Sequence, residues 1–196
     1  MKNMSYANRG MEFENLIRGT NECYRMNRMA SIEKLATEFI PIRDNNGKII
    51  TVKVESKSKV DFLGRYYNIP IAIEAKSTFE NNIRFDAVAE HQADYMDEFT
   101  SQPGTIGLVA VSFNLRKFYA IPWVFWQAAY NARVRPGSKK TTPVTVEAFG
   151  QKWKVPQKYS VRMDELNPAW EIPAHDPTFG MHYLINARHY ITPSKS

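Results

Sequence analysis

Asp61, Glu74 and Lys76 are the residues of this sequence best placed to do chemistry together. Glu74 and Lys76 stand two apart in Ile71-Ala72-Ile73-Glu74-Ala75-Lys76-Ser77, an otherwise aliphatic run. Residues two apart in a strand share a face, so the carboxylate and the amine point the same way. The apolar run before it, from Val60, is separated from it by a polar turn at Tyr67-Asn68. A hairpin centred on that turn sets Asp61 directly across from Glu74. Two facing carboxylates raise each other's pKa unless a cation sits between them. A divalent metal is the natural cation, because Mg²⁺ takes a few carboxylates with waters and phosphate oxygens, and the backbone carbonyl of Ala75 lies close by. Lys76 can then orient an attacking water or stabilise charge on a scissile phosphate. Metal, water and lysine together make a phosphodiester hydrolysis site. The plainer alternative for the same three residues is an exposed cross-strand ion group, which contributes little to stability.

The elements needed to hold such a site are legible in the chain. Phe13, Leu16, Ile17, Cys23 and Tyr24 fall at helical spacing, with Asn8 as the cap of this first helix. Asp44-Asn45-Asn46-Gly47 is turn chemistry between two β-branched runs, which predicts a basic two-stranded ribbon from about residue 41 to 58 that projects from the body. After the Asp61–Glu74 hairpin a helix is expected from Phe85 to Phe99, with Phe85, Val88, Gln92, Met96 and Phe99 on one stripe. Gln92 is the polar member of that stripe. Thr105–Phe113 reads as a strand buried on both faces, Arg116–Ile121 as its return after an Asn114-Leu115 turn, and Pro122 as the start of a further helix. A hairpin turning near Phe149-Gly150 follows a loop, and residues 163–196 read as an irregular tail. The expectation is one α/β domain over residues 1–196, with a mixed central sheet flanked by helices: a core at 8–130 and a divergent region at 131–196.

Composition narrows the partners. The chain has 196 residues and a net charge of +6, with 43% hydrophobic residues, enough for a real core. The excess charge is concentrated. Arg133, Arg135, Lys139, Lys140, Lys152, Lys154 and Lys158 face one acid, Glu147, and Arg43, Lys48, Lys53, Lys57 and Lys59 face Asp44 and Glu55. Such segments favour an anionic polymer, since each neutralised phosphate releases counterions. The lone Cys23 rules out an intramolecular disulfide and a Cys-rich zinc site. No run is long enough to span a membrane and the N-terminal residues lack a signal-peptide core, so a cytoplasmic protein is expected. No phosphate-binding loop, dinucleotide fingerprint or HExxH occurs.

At this level of detail the chain resembles a known family. Asp61 followed by Glu74-Ala75-Lys76 on a hairpin, after a helix bearing Glu14, looks like the D…ExK core of the PD-(D/E)xK nuclease superfamily. The wording "NRGMEFE" (8–14), "IEKL" (32–35), "VDFLG" (60–64), "IEAKST" (73–78) and "HQADYM" (91–96) is similar, in order and spacing, to the RecU-type Holliday junction resolvases over roughly residues 8–130. The resemblance implies a restriction-endonuclease-like core with a projecting ribbon as stalk. It implies that Asp61 and Glu74 bind Mg²⁺ or Mn²⁺, that Lys76 is catalytic, that Glu14 completes the acidic cluster through water, and that Gln92 sits over the site. Arg9 and Lys34 match basic positions suited to backbone phosphates, and Lys57, Lys59, Lys139 and Lys140 extend that DNA-facing set. A four-way junction cut at two opposed strands calls for a C₂ homodimer. A branch-migration motor or recombinase is the implied working partner, in the bacterial cytoplasm and at the nucleoid during recombination. The ribbon is short and the wording after Arg133 does not match, which points towards a phage as source.

Other readings stay open at this stage. Glu14 also suits a first-turn carboxylate complementing the helix dipole, and Gln92 a side chain bonded to nearby backbone. Trp123, Phe125, Trp126 and Tyr130 are core or dimer-interface residues before they are stacking platforms. His175, His182, Asn186 and His189 match no defensible metal-ligand spacing. The competing functions are a different superfamily nuclease acting on branched or linear DNA, and a DNA-binding recombination accessory protein without turnover.

Overall fold

The apolar stripe of the first segment forms α1 (Tyr6–Met26), which buries Phe13, Ile17 and Tyr24. The computed structural model describes residues 6–36, 38–56, 58–133, 144–155, 158–173 and 175–192. Two details of α1 correct the expectation. The helix already runs at Asn8, which therefore does not cap it. Leu16 is 42% exposed and Cys23 half-buried, because each sits one residue, or about 100°, from the buried Ile17 and Tyr24.

β1 (Ala30–Lys34) leads to β2 (Glu38–Arg43) and β3 (Ile49–Ser56), the expected ribbon. Its turn is closed by Asp44, whose carboxylate accepts the N–H groups of Asn46 and Lys48 at 2.9 Å each, and by Gly47 at φ +79°. Among the described residues the ribbon strands pair with each other alone, as a separate two-stranded sheet.

β4 (Phe62–Tyr66) and β5 (Ile69–Thr78) form the hairpin in the expected register, with Tyr66 opposite Ile69 and Phe62 opposite Ile73. The short β6 (Asn82–Arg84) follows. The helix expected over 85–99 is in fact two pieces, a 3-10 turn at Phe85–Ala87 and α2 (Glu90–Thr100). Val88 and Ala89 between them are extended. Phe85, Val88 and Met96 are buried all the same, so the apolar stripe was sound and only its continuity was not.

β7 (Ile106–Phe113) is buried along its whole length, and β8 (Lys117–Pro122) returns beside it. Asn114 and Leu115 in the three-residue turn have φ of 56° and 55°, and the N–H of Arg116 donates to the Phe113 carbonyl at 3.0 Å. α3 (Trp123–Ala132) begins straight after Pro122 and buries Trp123, Phe125 and Trp126, which are thus core residues. β9 (Val144–Ala148) and β10 (Gln151–Val155) turn at Phe149-Gly150, β11 (Ser160–Arg162) pairs with β6, and β12 (Glu171–Ile172) lies on the edge of the main sheet. The tail is less irregular than expected. Trp170, Tyr183 and Leu184 are buried, and Trp170 packs on Phe125 and Trp153 with ring centroids 5.0 and 5.2 Å apart.

The main sheet runs β1-β4-β5-β7-β8-β12, with β5 and β7 parallel and the other neighbours antiparallel. α2 is the crossover between the parallel pair. The registers also assign the two faces. Phe118 stacks on Phe13 of α1 at 5.8 Å, and Phe118, Ser112 and Ser77 are in register, so α1 covers the face of Ile73 and Ala75. Gly107, opposite Ala72, has Thr100 of α2 and Trp123 of α3 where its Cβ would be. Ala72, Glu74 and Lys76 therefore look towards α2 and α3.

Candidate active site

β4 begins at Phe62, opposite Ile73, so among the described residues β5 has no strand partner on that side from Glu74 onward. Asp61 takes the vacant edge. Its carbonyl accepts the N–H of Leu35 at 2.9 Å, continuing the β1 ladder, while its Oδ2 accepts the N–H of Ala75 at 2.8 Å. Held from both sides, the Asp61 carboxylate is fixed beside Glu74 by backbone alone.

Glu74 is fully buried. Its Oε1 forms an ion pair with Nζ of Lys76, and neither oxygen has any other donor among the described residues. Burial pushes the Glu74 carboxyl up to about 8; the Lys76 ammonium pulls it down and the Asp61 carboxylate pushes it further up. A carboxylate so placed is short of positive charge. Lys76 is held in turn, since its Nζ donates to Oε1 of Gln92 at 3.3 Å. The same Oε1 accepts the N–H of Ala89 at 3.1 Å, and the N–H of Gln92 donates to the Ala89 carbonyl at 3.0 Å. Gln92 thus caps its own helix and holds the lysine with one atom, which accounts for both readings of this polar residue. It also explains the break before α2, because the cap requires Ala89 to be extended.

The donors suit a hard divalent cation. Two carboxylates, one of them buried and undercompensated, and the carbonyl of Ala75 are all oxygen. Among the described residues no group of three or more His, Cys, Asp or Glu is placed to hold a metal. A cation here would fill its shell from water and substrate phosphate, as Mg²⁺ and Mn²⁺ commonly do.

Asp61, Glu74, Lys76 and Gln92 are brought together, whereas Glu14 and Lys34 are placed elsewhere. Lys34, Phe62 and Ile73 are in register, so Lys34 lies on the α1 face, and its ammonium pairs with the Glu14 carboxylate there. Lys59 is exposed, with its Nζ 5.4 Å from the centre of the Tyr95 ring. Arg9 lies in α1, but its side chain, like Lys57, Lys139 and Lys140, is outside the described residues. Nδ1 of His182 is 2.9 Å from the Tyr24 hydroxyl, and His175 and His189 are exposed. Tyr95 was missed by sequence reasoning. It lies within the "HQADYM" wording (91–96), three residues after Gln92 and one turn along the same helix, but was not singled out there.

Comparison with known proteins places this geometry in context. The family model described as RecU, Recombination protein U, matches residues 8–168, well past the point where the wording fades. The Holliday junction resolvase RecU of Mycoplasmopsis pulmonis is 34% identical over 101 residues, covering 52% of this chain and 60% of that protein. The protein of the same name from Streptococcus mutans serotype c is 30% identical over 127 residues, covering 62% and 64%. The one from Staphylococcus aureus strain JH9 is 28% identical over 176 residues, covering 84% and 81%. The matches to the first two thus span less than two thirds of those proteins' length. A structure of Archaeoglobus fulgidus Hjc, a Holliday junction resolvase, aligns at a TM-score of 0.41 with 12% identity, over 82% of this chain and 92% of that one. At that score it adds nothing to the sheet order described above.

Proposed function

This chain belongs to the RecU family, and on that premise we propose that it is a structure-selective endonuclease that resolves four-way DNA junctions by paired, metal-dependent phosphodiester hydrolysis. The observation that carries the proposal is Glu74, a buried carboxylate set beside Asp61 at an open strand edge, with no counter-charge among the described residues but Lys76. Asp61, Glu74 and the Ala75 carbonyl would hold Mg²⁺ or Mn²⁺, and Glu14 could enter only through water. The bound cation would supply Lewis-acid stabilisation of the phosphate and a more acidic water.

The residues of the chain do the rest. Asp61 is anchored by the N–H of Ala75, so its carboxylate needs no reorganisation when charge develops nearby. Lys76, steadied by Gln92, directs its ammonium at the water that attacks phosphorus, or at the pentavalent phosphate. The nick leaves a 5′-phosphate and a 3′-hydroxyl. Paired nicks in opposed strands need two such sites related by a two-fold axis, hence a homodimer. The basic ribbon, with Lys59 at its foot and the cations Arg9, Lys57, Lys139 and Lys140, supplies phosphate contacts, whereas Lys34 is taken by Glu14 on the other face of the sheet. Junction choice then rests on shape more than on base sequence.

The test is to incubate the protein with a mobile four-way junction, a linear duplex and a splayed arm, each with Mg²⁺ or with chelator, alongside Asp61→Asn. Symmetric, metal-dependent nicks in the junction alone support the proposal. Cutting of the duplex or splayed arm would replace it with a less selective nuclease, and binding of the junction without cleavage in Mg²⁺ would leave an accessory DNA-binding protein.

A further inference from the structure

Lys59 precedes Asp61 by two residues, in the bend that leads from the ribbon to the carboxylates, and is exposed. An ammonium there would be expected to collapse onto the undercompensated carboxylates. It does not. Lys59 has no ion pair among the described residues, while Lys76 takes the Glu74 carboxylate. Instead its Nζ lies 5.4 Å from the ring centre of Tyr95, which stands one turn beyond Gln92 on α2. Tyr95 is itself only half-buried and is backed by Phe99, with ring centroids 6.1 Å apart. Along α2 there are thus two consecutive lysine seats: Gln92 for Lys76, and the Tyr95 ring for Lys59.

We infer that Tyr95 is a positioning residue which holds Lys59 as a phosphate-binding cation beside the hydrolytic site, directed at a phosphate of the cut strand next to the scissile one. The inference rests on the nuclease reading above and adds a subsite to it. A ring face attracts an ammonium without neutralising it, so the cation stays available to DNA. A carboxylate partner would cancel the charge, and pairing with Asp61 or Glu74 would compete with a metal for the same oxygens. Phe99 packs beside the Tyr95 ring, with the two planes 31° apart.

The test measures binding of a four-way junction in chelator, where no cleavage occurs, across a range of salt, and then cleavage with Mg²⁺ at saturating and sub-saturating enzyme. Lys59→Ala is expected to weaken binding about 5- to 10-fold at low salt and to reduce the slope of log K against log salt by about one. Tyr95→Leu, which keeps apolar bulk and removes the ring face, should reproduce that change, while Tyr95→Phe should behave as wild type. Because Tyr95 acts through Lys59, the double variant Lys59→Ala/Tyr95→Leu should bind no more weakly than Lys59→Ala, and its cleavage deficit should be larger at sub-saturating than at saturating enzyme. An unchanged salt slope in Lys59→Ala, or additive losses in the double variant, would overturn the inference. A wild-type protein that binds the junction and never cuts it would sink the nuclease reading instead, whatever the slopes show.

Discussion

In the proposed mechanism Glu74 carries the chemistry, and its environment makes that role measurable. Its carboxyl is raised to about 8 in the folded protein from 4.5 in the open chain. The folded state therefore binds the proton more tightly, so this group's contribution to stability is complete below about 4.5 and is lost as pH rises through about 8. In chelator, the melting temperature of the wild type should fall between pH 5 and pH 9, and Glu74→Gln should not show that fall. A divalent cation that binds the native state alone should restore the loss in the wild type and not in the variant. For Asp61, the backbone anchor separates fold from function. Asp61→Asn keeps an oxygen for the N–H of Ala75, so it should melt near the wild type while cleaving roughly 10³-fold more slowly. At this scale much was legible in the sequence, because a period of two and a turn position suffice to put Asp61, Glu74 and Lys76 on one face. Tyr95 was not legible, since its role depends on where Lys59 turns, and no spacing within a helix specifies a partner from a strand.

Among the elements, α2 is the part on which the site depends most. Its N-terminus is set by Gln92, which caps Ala89 and steadies Lys76 at once. Gln92→Ala should cost about 1 kcal/mol in chemical denaturation, as a lost cap does, and lower turnover roughly 10- to 100-fold, as the loss of a supporting hydrogen bond does. Its C-terminal half is set by Gly107, where a Cβ would lie 2.5 Å from Cγ2 of Thr100 and 3.0 Å from Cβ of Trp123. Gly107→Val should therefore destabilise by about 1–3 kcal/mol through overpacking, and it should slow cleavage because α2 carries Gln92 and Tyr95. The sequence showed the stripe Phe85, Val88, Gln92, Met96 and could not show the break within it. A helical period continues across an extended residue whenever the buried positions do, and the cap that forces Ala89 open is a side-chain contact. Pairing of β12 with the far edge of the sheet was equally hidden, being two residues long and non-local.

For the molecule as a whole, the candidate site and the ribbon rise from the same stretch of chain, since only residues 57–60 separate the end of β3 from Asp61. A junction gripped by the ribbon would be delivered to the carboxylates without a further domain. Replacing residues 40–54 with a short turn should leave the melting temperature within a few degrees, because among the described residues the ribbon strands pair with each other alone, and should weaken junction binding by an order of magnitude or more in a mobility-shift titration. The α/β class, the mixed sheet and the ribbon were all readable from apolar periods and turn residues, whereas the tail's part in the core was not, because single aromatics such as Trp170 and Tyr183 have no period. The most direct test of the account is cleavage of a supercoiled plasmid that extrudes a cruciform, in Mg²⁺, by wild type and by Glu74→Gln. Paired nicks across the junction within one encounter convert supercoiled circles straight to linear DNA, and Glu74→Gln should leave the circles intact. Accumulation of nicked circles without linear product, or linear product made as fast by Glu74→Gln, would contradict it.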